Sequence, residues 1–370
     1  MPEPDSQHLA VFLSFSGAGG VERMVMNLVR EFARRGIAVD LLTVRGESAH
    51  LRDVPDNVRH IPLKARHSMT SVRELAAYLR RERPAAMLVA KDRAGRAALA
   101  ARRFSGVDTR IVVRLGTNLA AALEGRPWLQ RQARLLPMRL AYRSVDRIVA
   151  VSRGVAEDAH RTTRVPEERI EVIRNPVITP ELEELAQQDP GHPWLGQPDT
   201  PVILGAGRLT RQKDFPTLLR AFARVRRSRP CRLLILGEGK MRTGLEALAR
   251  ELDVAEDVDL PGFTDNPYAY MARADLFVLS SLWEGSPNVL TEAMALGTPV
   301  AATDCPSGPM ETLDGGRFGP LVPMGDVPAL ATGIEQALDR PLPADTLQSA
   351  VAEYHVENSA DHYLEVLGLR

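Results

Sequence analysis

The 370-residue chain predicts two α/β domains in series, each a parallel sheet with crossover helices. Three observations carry that prediction. The length exceeds what one ordinary core accommodates and suits two domains of typical size. Short apolar runs alternate with amphipathic helical segments, the pattern of a parallel sheet. That alternation stops near Arg174 and restarts at Pro201.

The first strand reads LAVFLSF, Leu9 to Phe15, and leads through the glycine loop SGAGG into an amphipathic helix from about Val21 to Arg34, which Gly36 ends. IAVDLLTV, AAMLVA, TRIVVRL and DRIVAVS follow as further strands, with an arginine-rich helix around Val72 to Glu82. The stretch NPVITPELEELAQQDPGHPWLGQPDTP is rich in proline and polar residues and reads as a linker. PVILGAGRL reopens the pattern; a helix from about Phe215 to Arg227, RLLILG, a helix around Leu245 to Leu252, VDLPGF, LFVLSS and TPVAAT continue it. The expected boundaries are therefore 1–174 for the N-terminal domain, 175–200 for the linker and 201–345 for the second domain, leaving 346–370 as a C-terminal helical segment.

Composition narrows the function classes. With 44% hydrophobic and 25% charged residues the chain is neither disordered nor fibrous. No apolar run reaches the roughly 18 residues of a membrane span, and the acidic start MPEPDSQ is unlike a basic signal peptide, so a cytoplasmic location is expected. Cys231 and Cys305, the two cysteines, are too few for a disulfide framework or a thiolate zinc site, and the eight histidines show no ligand spacing; no metal is expected. The net charge of zero hides an asymmetry: residues 1–174 carry 31 basic against 19 acidic side chains, and the remainder carries 16 against 28. The first half is therefore suited to an anionic partner, a membrane surface or a phosphate-bearing substrate. No nucleic-acid partner is expected.

The chemistry concentrates in SLWEGSPNVLTEAMALGTPVAATD, Ser281 to Asp304. LFVLSS reads as a buried strand, LWEG as the loop at its carboxyl end, Ser286 as a helix N-cap, Pro287 as the first helical residue and Gly297 as the residue just past the helix end. Glu284 then precedes the helix and Glu292 lies inside it. In uninterrupted helix the two would point about 80° apart, whereas a loop-helix junction lets both face one ligand. Exposed amides of Ser286, Pro287's neighbours Asn288 and Val289, and the helix dipole suit a phosphate oxygen. Two carboxylates beside an anion site match sugar and ribose hydroxyls, which donate hydrogen bonds to them. In GAGRLTRQKDF, Arg208 and Lys213 supply cations for a diphosphate leaving group.

Together GRLTRQKD, LILGEGKMRTGLEALA, LPGFTDNPYAYMARADLFVLSSLWEGSPNVLTEAMALGTPVAATDCPSGP and the early GAGGVERMVMNLVREFARRG resemble glycosyltransferase family 4, and the Glu284-x7-Glu292 pair matches its E-x7-E motif. The resemblance spans about Leu9 to Asp326. It implies a GT-B fold, two Rossmann-like domains with parallel sheets facing an interdomain cleft, with the 346–370 segment crossing back to the first domain. It further implies retaining, metal-independent transfer from a nucleotide-sugar donor, without a cofactor. By position, Arg208 and Lys213 would bind the donor diphosphate, Glu292 the ribose hydroxyls, and Glu284 the donor sugar and the charge at its anomeric carbon. Gly285, Ser286, Pro287, Asn288 and Val289 would line the sugar and phosphate pocket, with Gly262 and Phe263 near the base. Gly19 and Gly20 would let the main chain approach the diphosphate. The resemblance points to UDP-linked hexoses or N-acetylhexosamines and to a glycan or lipid-linked acceptor in bacterial surface polysaccharide assembly. One departure stands out: many members carry a histidine after the strand matching IVVRLGTN, where this chain has Arg114, Gly116, Thr117 and Asn118, so no acceptor-side base is assigned.

Three other patterns compete. Asp257 and Asp259 form a D-x-D, but without an accompanying acidic ladder; the glycines from Gly17 lack the G-x-G-x-x-G spacing of a dinucleotide site. A nucleotide-sugar epimerase of the same fold and a non-catalytic nucleotide-sugar-binding subunit stay as alternative functions. Finally, Glu124 to Arg147 mixes arginines with Trp, Leu and Met; interrupted by Pro137, it is either an internal helix or a peripheral contact with anionic membrane at the inner face of the cell membrane.

Overall fold

The structure, a computed structural model, describes residues 8–14, 20–44, 51, 54–196 and 200–370. The chain divides into two compact units, Met1–Val177 with His355–Arg370, and Ile178–Tyr354.

The first unit is built on β1 (His8–Ser14), β2 (Ala38–Val44), β3 (Val58–Pro62), β4 (Ala86–Ala90), β5 (Arg110–Leu115), β6 (Arg147–Ala150) and β7 (Ile170–Val172). They form a parallel sheet in the order β3-β2-β1-β4-β5-β6-β7. Its central strands are buried on both faces, which is why AMLVA reads as continuous apolar sequence rather than an alternation. On one face Val25, Leu28, Val29 and Phe32 of the helix Gly20–Arg34 meet Leu9, Val11 and Leu13. The other face packs Phe12, Met87 and Ile111 against Leu75 and Leu79 of the helix Val72–Glu82.

The second unit holds β8 (Val202–Ala206), β9 (Arg232–Leu236), β10 (Val258–Gly262), β11 (Leu276–Leu279), β12 (Val300–Thr303) and β13 (Leu321–Val322), again parallel, in the order β10-β9-β8-β11-β12-β13. The order reverses between β8 and β11, and in open parallel sheets ligands bind outside the carboxyl ends of the strands at such a reversal.

Three expectations change. Part of the 175–200 stretch is structured: Pro180 opens a helix, Pro180–Gln187, whose Leu182 and Ala186 are buried in the second unit. Arg273 donates to the Ala186 carbonyl at 2.8 Å and Asn266 to that of Leu185 at 2.8 Å, so the helix end is satisfied by side chains of the same unit. The 346–370 segment is not one returning piece. Leu347, Val351 and Tyr354 are buried in the second unit, and the chain re-enters the first at His355. There the helix Val356–Leu367 buries Tyr363, Leu364 and Leu367 in the cluster that holds Phe32, each contributing about 1.5–3 kcal/mol. Arg35 fixes its register, donating to Asp361 at 2.8 Å and to the Glu357 carbonyl at 3.0 Å. Lastly, Pro137 does not interrupt the arginine-rich segment, because the helix Trp128–Ala141 runs through it. The hydrogen bond a proline cannot make would end on Ala133, which is exposed, so water can solvate that carbonyl.

Candidate functional site

Three loops of the second unit leave the carboxyl ends of β8, β11 and β12 and are tied to one another. After β8 the chain passes Gly207, Arg208 and Leu209 into a short turn, Arg211–Lys213, that precedes the helix Phe215–Ser228. Gly207 has φ +151°, and a Cβ there would lie 2.7 Å from Cε of Lys213, so the lysine stem occupies the space a side chain would need.

Lys213 reaches the loop after β11. Its Nζ donates to Oε1 of Glu284 at 2.6 Å, and Ser281 Oγ donates to the same oxygen at 2.7 Å. One main-chain bond and two side-chain donors to main-chain carbonyls hold the two loops in register: Leu282 N–H to the Gln212 carbonyl at 2.8 Å, Ser280 Oγ to the Lys213 carbonyl at 2.8 Å, and Gln212 Nε2 to the Trp283 carbonyl at 2.9 Å. The third loop closes on them from β12. Thr303 Oγ1 donates to the Ser281 carbonyl at 2.7 Å, and the Glu284 N–H to the Pro306 carbonyl at 3.2 Å. Gly308, at φ +104°, brings bare main chain against the Ser286-Pro287 pair; a Cβ there would stand 2.4 Å from Pro287 Cδ.

Glu284 and Lys213 are both largely shielded from water, so their contact is a charge-assisted hydrogen bond in low dielectric. The carboxylate is thus fixed by one cation and one hydroxyl at the end of a buried strand. Cys305 lies close by, and burial, reinforced by the charge of Glu284, pushes its thiol well above the usual range. It is a packing residue here and no nucleophile.

The helix carrying Glu292 spans Asn288–Ala295, and Glu292 is fully buried within it. The expected capping needs correction. Pro287, not Ser286, immediately precedes the helix, at φ −79° and ψ 84°, and no side chain caps it. The Ser286-Pro287 pair packs on Gly308 instead, and Ser286 Oγ is buried without a hydrogen-bond partner among the described residues. The first helical amides, of Asn288 and Val289, come before the i+3 bonds that Leu290 and the i+4 bond that Thr291 make to the Pro287 carbonyl. Gly297 does follow the helix, at φ +77°, its N–H on the Met294 carbonyl at 3.0 Å.

The remaining candidates of this unit lie in the loop after β8, at the end of the edge strand β10 and at the start of the helix Asn288–Ala295. Arg208 is exposed and makes no ion pair among the described residues. Gly262 ends β10 and accepts the Gly237 N–H at 2.7 Å; Phe263, next in sequence, is 58% exposed. Gly285 and Pro287 are buried, Asn288 and Val289 half-buried. The D-x-D acids are engaged elsewhere, Asp257 with Arg226 at 2.7 Å and Asp259 with His192 at 2.9 Å. Among the described residues no group of three or more His, Cys, Asp or Glu could hold a metal ion.

In the first unit Gly19 and the other loop glycines from Gly17 lie outside the described residues, and Gly20 opens the helix Gly20–Arg34. Arg114, in β5, and the residues that follow that strand had no assigned role. Arg114 is buried, donating to Asn175 Oδ1 at 2.5 Å, and Gly116 leaves room for its guanidinium, so it braces the core rather than meeting a ligand. Asn118 caps the short helix Leu119–Ala122 through the Ala121 amide, leaving Thr117 exposed. Sequence reading missed Ser281, Gln212, Gly207 and Gly308, whose roles are visible only once the three loops are seen together.

Comparisons with known proteins bear on the family and the fold. Residues 18–181 match the sequence model of Glycosyltransferase Family 4, and residues 200–340 that of Glycosyl transferases group 1. The chain is 28% identical, over 90% of both chains, to the N-acetylgalactosamine-N,N'-diacetylbacillosaminyl-diphospho-undecaprenol 4-alpha-N-acetylgalactosaminyltransferase of Campylobacter jejuni. It is 29% identical to the lipopolysaccharide core biosynthesis glycosyltransferase LpsE of Rhizobium meliloti, over 95% of this chain and 97% of that one. Among solved structures, HepE of Anabaena in complex with UDP and glucose superposes with a TM-score of 0.77 at 18% identity, covering 98% of this chain and 99% of that one. The fold is GT-B, with two Rossmann-like parallel-sheet domains, and the chain is a glycosyltransferase that belongs to glycosyltransferase family 4.

Proposed function

We propose that this enzyme moves a hexose or N-acetylhexosamine from a UDP-sugar to a glycan or lipid-linked acceptor in bacterial surface-glycan assembly, with retention of anomeric configuration and without a metal or other cofactor. The observation that carries the reading is the bonded set Lys213, Glu284 and Ser281 at the carboxyl ends of β8 and β11, with the exposed Arg208 in the same β8 loop. Relatives named for lipid-linked and lipopolysaccharide acceptors, and a neighbour of like fold holding UDP, support the substrate classes.

In this reading Arg208 and Lys213 receive the diphosphate, Glu292 takes the ribose hydroxyls, and the Gly285 to Val289 loop surrounds the sugar. Gly262 and Phe263 border the base. The bond between the anomeric carbon and the diphosphate oxygen breaks while the acceptor oxygen bonds the same face of that carbon. The acceptor proton passes to the departing phosphate oxygen, so no separate protein base is needed, and the nucleoside diphosphate leaves. Arg208 and Lys213 stabilise the charge that builds on the leaving group, and Glu284 the positive charge on the sugar. Among the described residues no helix is long and apolar enough to cross a membrane; the reading places the enzyme peripherally at the inner membrane face.

A thermal-shift panel in EDTA with UDP, GDP, ADP and their sugars tests the donor site. A ligand at about 100 times its dissociation constant stabilises by about 2.7 kcal/mol, a few degrees in melting temperature. Selective stabilisation by the UDP family, weakened in Glu292→Ala, is expected, followed by transfer giving a product of the donor's anomeric configuration by NMR. Isomerised donor without transfer would establish the epimerase alternative, binding without turnover the binding subunit, and the absence of any nucleotide effect would end the donor-site assignment.

A further inference from the structure

A second polar site lies wholly within the first unit. A cavity of about 590 Å³ is lined by Arg93 and Arg96 at the start of the helix Asp92–Ser105, Arg126 in the turn after Leu119–Ala122, and Arg134 with Gln130 on the helix Trp128–Ala141. That volume is in the range of small-molecule sites. None of its lining side chains is acidic. Among the described residues the carboxylate bonded to this set is buried Asp92, 3.2 Å from Arg96 and 3.6 Å from Arg134, so four arginines line the cavity and two of them share one negative charge. Nε of Arg96 is shielded from water and has no hydrogen-bond partner among the described residues. Guanidiniums gathered in this way repel one another unless an anion is shared between them, and their planar forks match phosphate oxygens.

The same helix indicates where the anion comes from. Leu129, Leu136 and Leu140 are 72%, 54% and 54% exposed. Their spacing of seven and four places them within about 40° of one another around the helix axis. The adjoining face carries Gln130, Ala133 and Arg134, which line the cavity. Trp128, also exposed, stands at the helix start. An apolar stripe beside a cationic cavity complements an amphiphile whose charged head and hydrocarbon tail are joined.

We propose that this cavity binds the diphosphate head of a membrane-borne acceptor, with the leucine stripe against its hydrocarbon. The proposal deepens the acceptor class given above and rests on that reading, but its site is separate from the donor loops. Calorimetric titration with inorganic diphosphate and with farnesyl diphosphate tests it on the full chain. Wild type, Arg93→Ser/Arg126→Ser, Leu129→Ser/Leu136→Ser and Arg208→Ala are compared, with thermal unfolding as the folding control. Arg93 and Arg126 are both exposed and make no ion pair among the described residues, so their loss should leave the fold intact. The expected results are about a tenfold or greater loss of farnesyl diphosphate affinity in the double arginine variant, and a smaller loss in the double leucine variant. Affinity lost only in Arg208→Ala, or in neither arginine variant, overturns the cavity as the site. Farnesyl diphosphate binding no tighter than inorganic diphosphate assigns the cavity to a free phosphate compound and overturns the membrane-borne source. A UDP titration of wild type scores the donor reading on its own, because cavity binding can persist when UDP does not bind.

Discussion

Glu284 and Asp40 are both buried carboxylates held by cations, one at the carboxyl end of a sheet strand and one near the amino end of another. Asp40, on β2, is closed on every side by its own unit: His8 at 3.0 Å, Arg59 through both Nε and Nη2, and the Tyr78 hydroxyl at 2.6 Å. Glu284 has one cation and one hydroxyl, both on the oxygen Oε1, and sits where loops rather than strands surround it. The difference is one of purpose. An acid enclosed by three partners ties strands together, whereas an acid gripped through one oxygen at a strand's carboxyl end keeps accepting capacity for something else.

The largest effect expected from that difference is on turnover. Glu284→Gln and Lys213→Met should each lower kcat by about 10²–10³-fold, the cost typical of removing one preorganised electrostatic group. Lys213→Met should in addition destabilise by about 3–5 kcal/mol, because it leaves Glu284 shielded and without its cation. The double variant Lys213→Met/Glu284→Gln should recover much of the stability and none of the activity. Steady-state kinetics beside denaturant unfolding would show it, and retention of activity in either single variant would remove the set from the mechanism.

A smaller effect sharpens the role of the loops. Gly308→Ala keeps every charged group but forces a Cβ to within 2.4 Å of Pro287 at a backbone angle that alanine adopts at a cost. It should destabilise by about 1–3 kcal/mol and raise KM for the donor several-fold while kcat changes less. Unchanged KM would mean that the Ser286-Pro287 turn does not shape the donor pocket.

The legibility of the molecule follows burial. Central strands such as AMLVA and RLLIL are apolar throughout because helices cover both faces, and the sequence reading found them. The strands it did not name, VRHIP, IEV and LV, are β3, β7 and β13, all at sheet edges, short and partly exposed, so no apolar run marks them. Of the candidate site residues, Glu284 and Lys213, which the structure bonds to each other, were singled out from two separate stretches, Glu284 from the E-x7-E spacing and Lys213 with Arg208 from GRLTRQKD. Ser281 and Gly308 were not, since their roles are contacts between residues 3 and about 20 positions away that only the closed loops create. The cap was misassigned for a related reason: Ser-Pro before a helix is an N-cap signal only where nothing else packs on it, and Gly308 does. The arginine cavity gave no motif at all, because its members come from two helices and a turn.

Asp40 supplies the counterpart test, and its expected signature is in stability alone. Burial by itself would raise its pKa, but the bonds from His8, Arg59 and Tyr78 outweigh this and hold the carboxyl well below the usual range. A folded-state pKa below the unfolded value of about 3.9 gives a contribution fully present above that unfolded value and lost progressively as pH falls from there towards and through the folded-state pKa. Asp40→Asn should therefore be less stable than wild type near pH 7, by about 1–3 kcal/mol for lost charge-assisted bonds, and the gap should narrow as pH falls from about 5 towards 3. The transfer rate at neutral pH should be unchanged, because Asp40 lies outside the donor loops and the arginine cavity. Melting temperatures of the two proteins across that range, with a rate at pH 7, decide the matter. A gap that stays constant with pH would mean that the carboxyl's charge does not stabilise the sheet, and a large loss of rate would erase the contrast with Glu284, since an acid near the amino end of a strand would then matter as much to turnover as one at its carboxyl end.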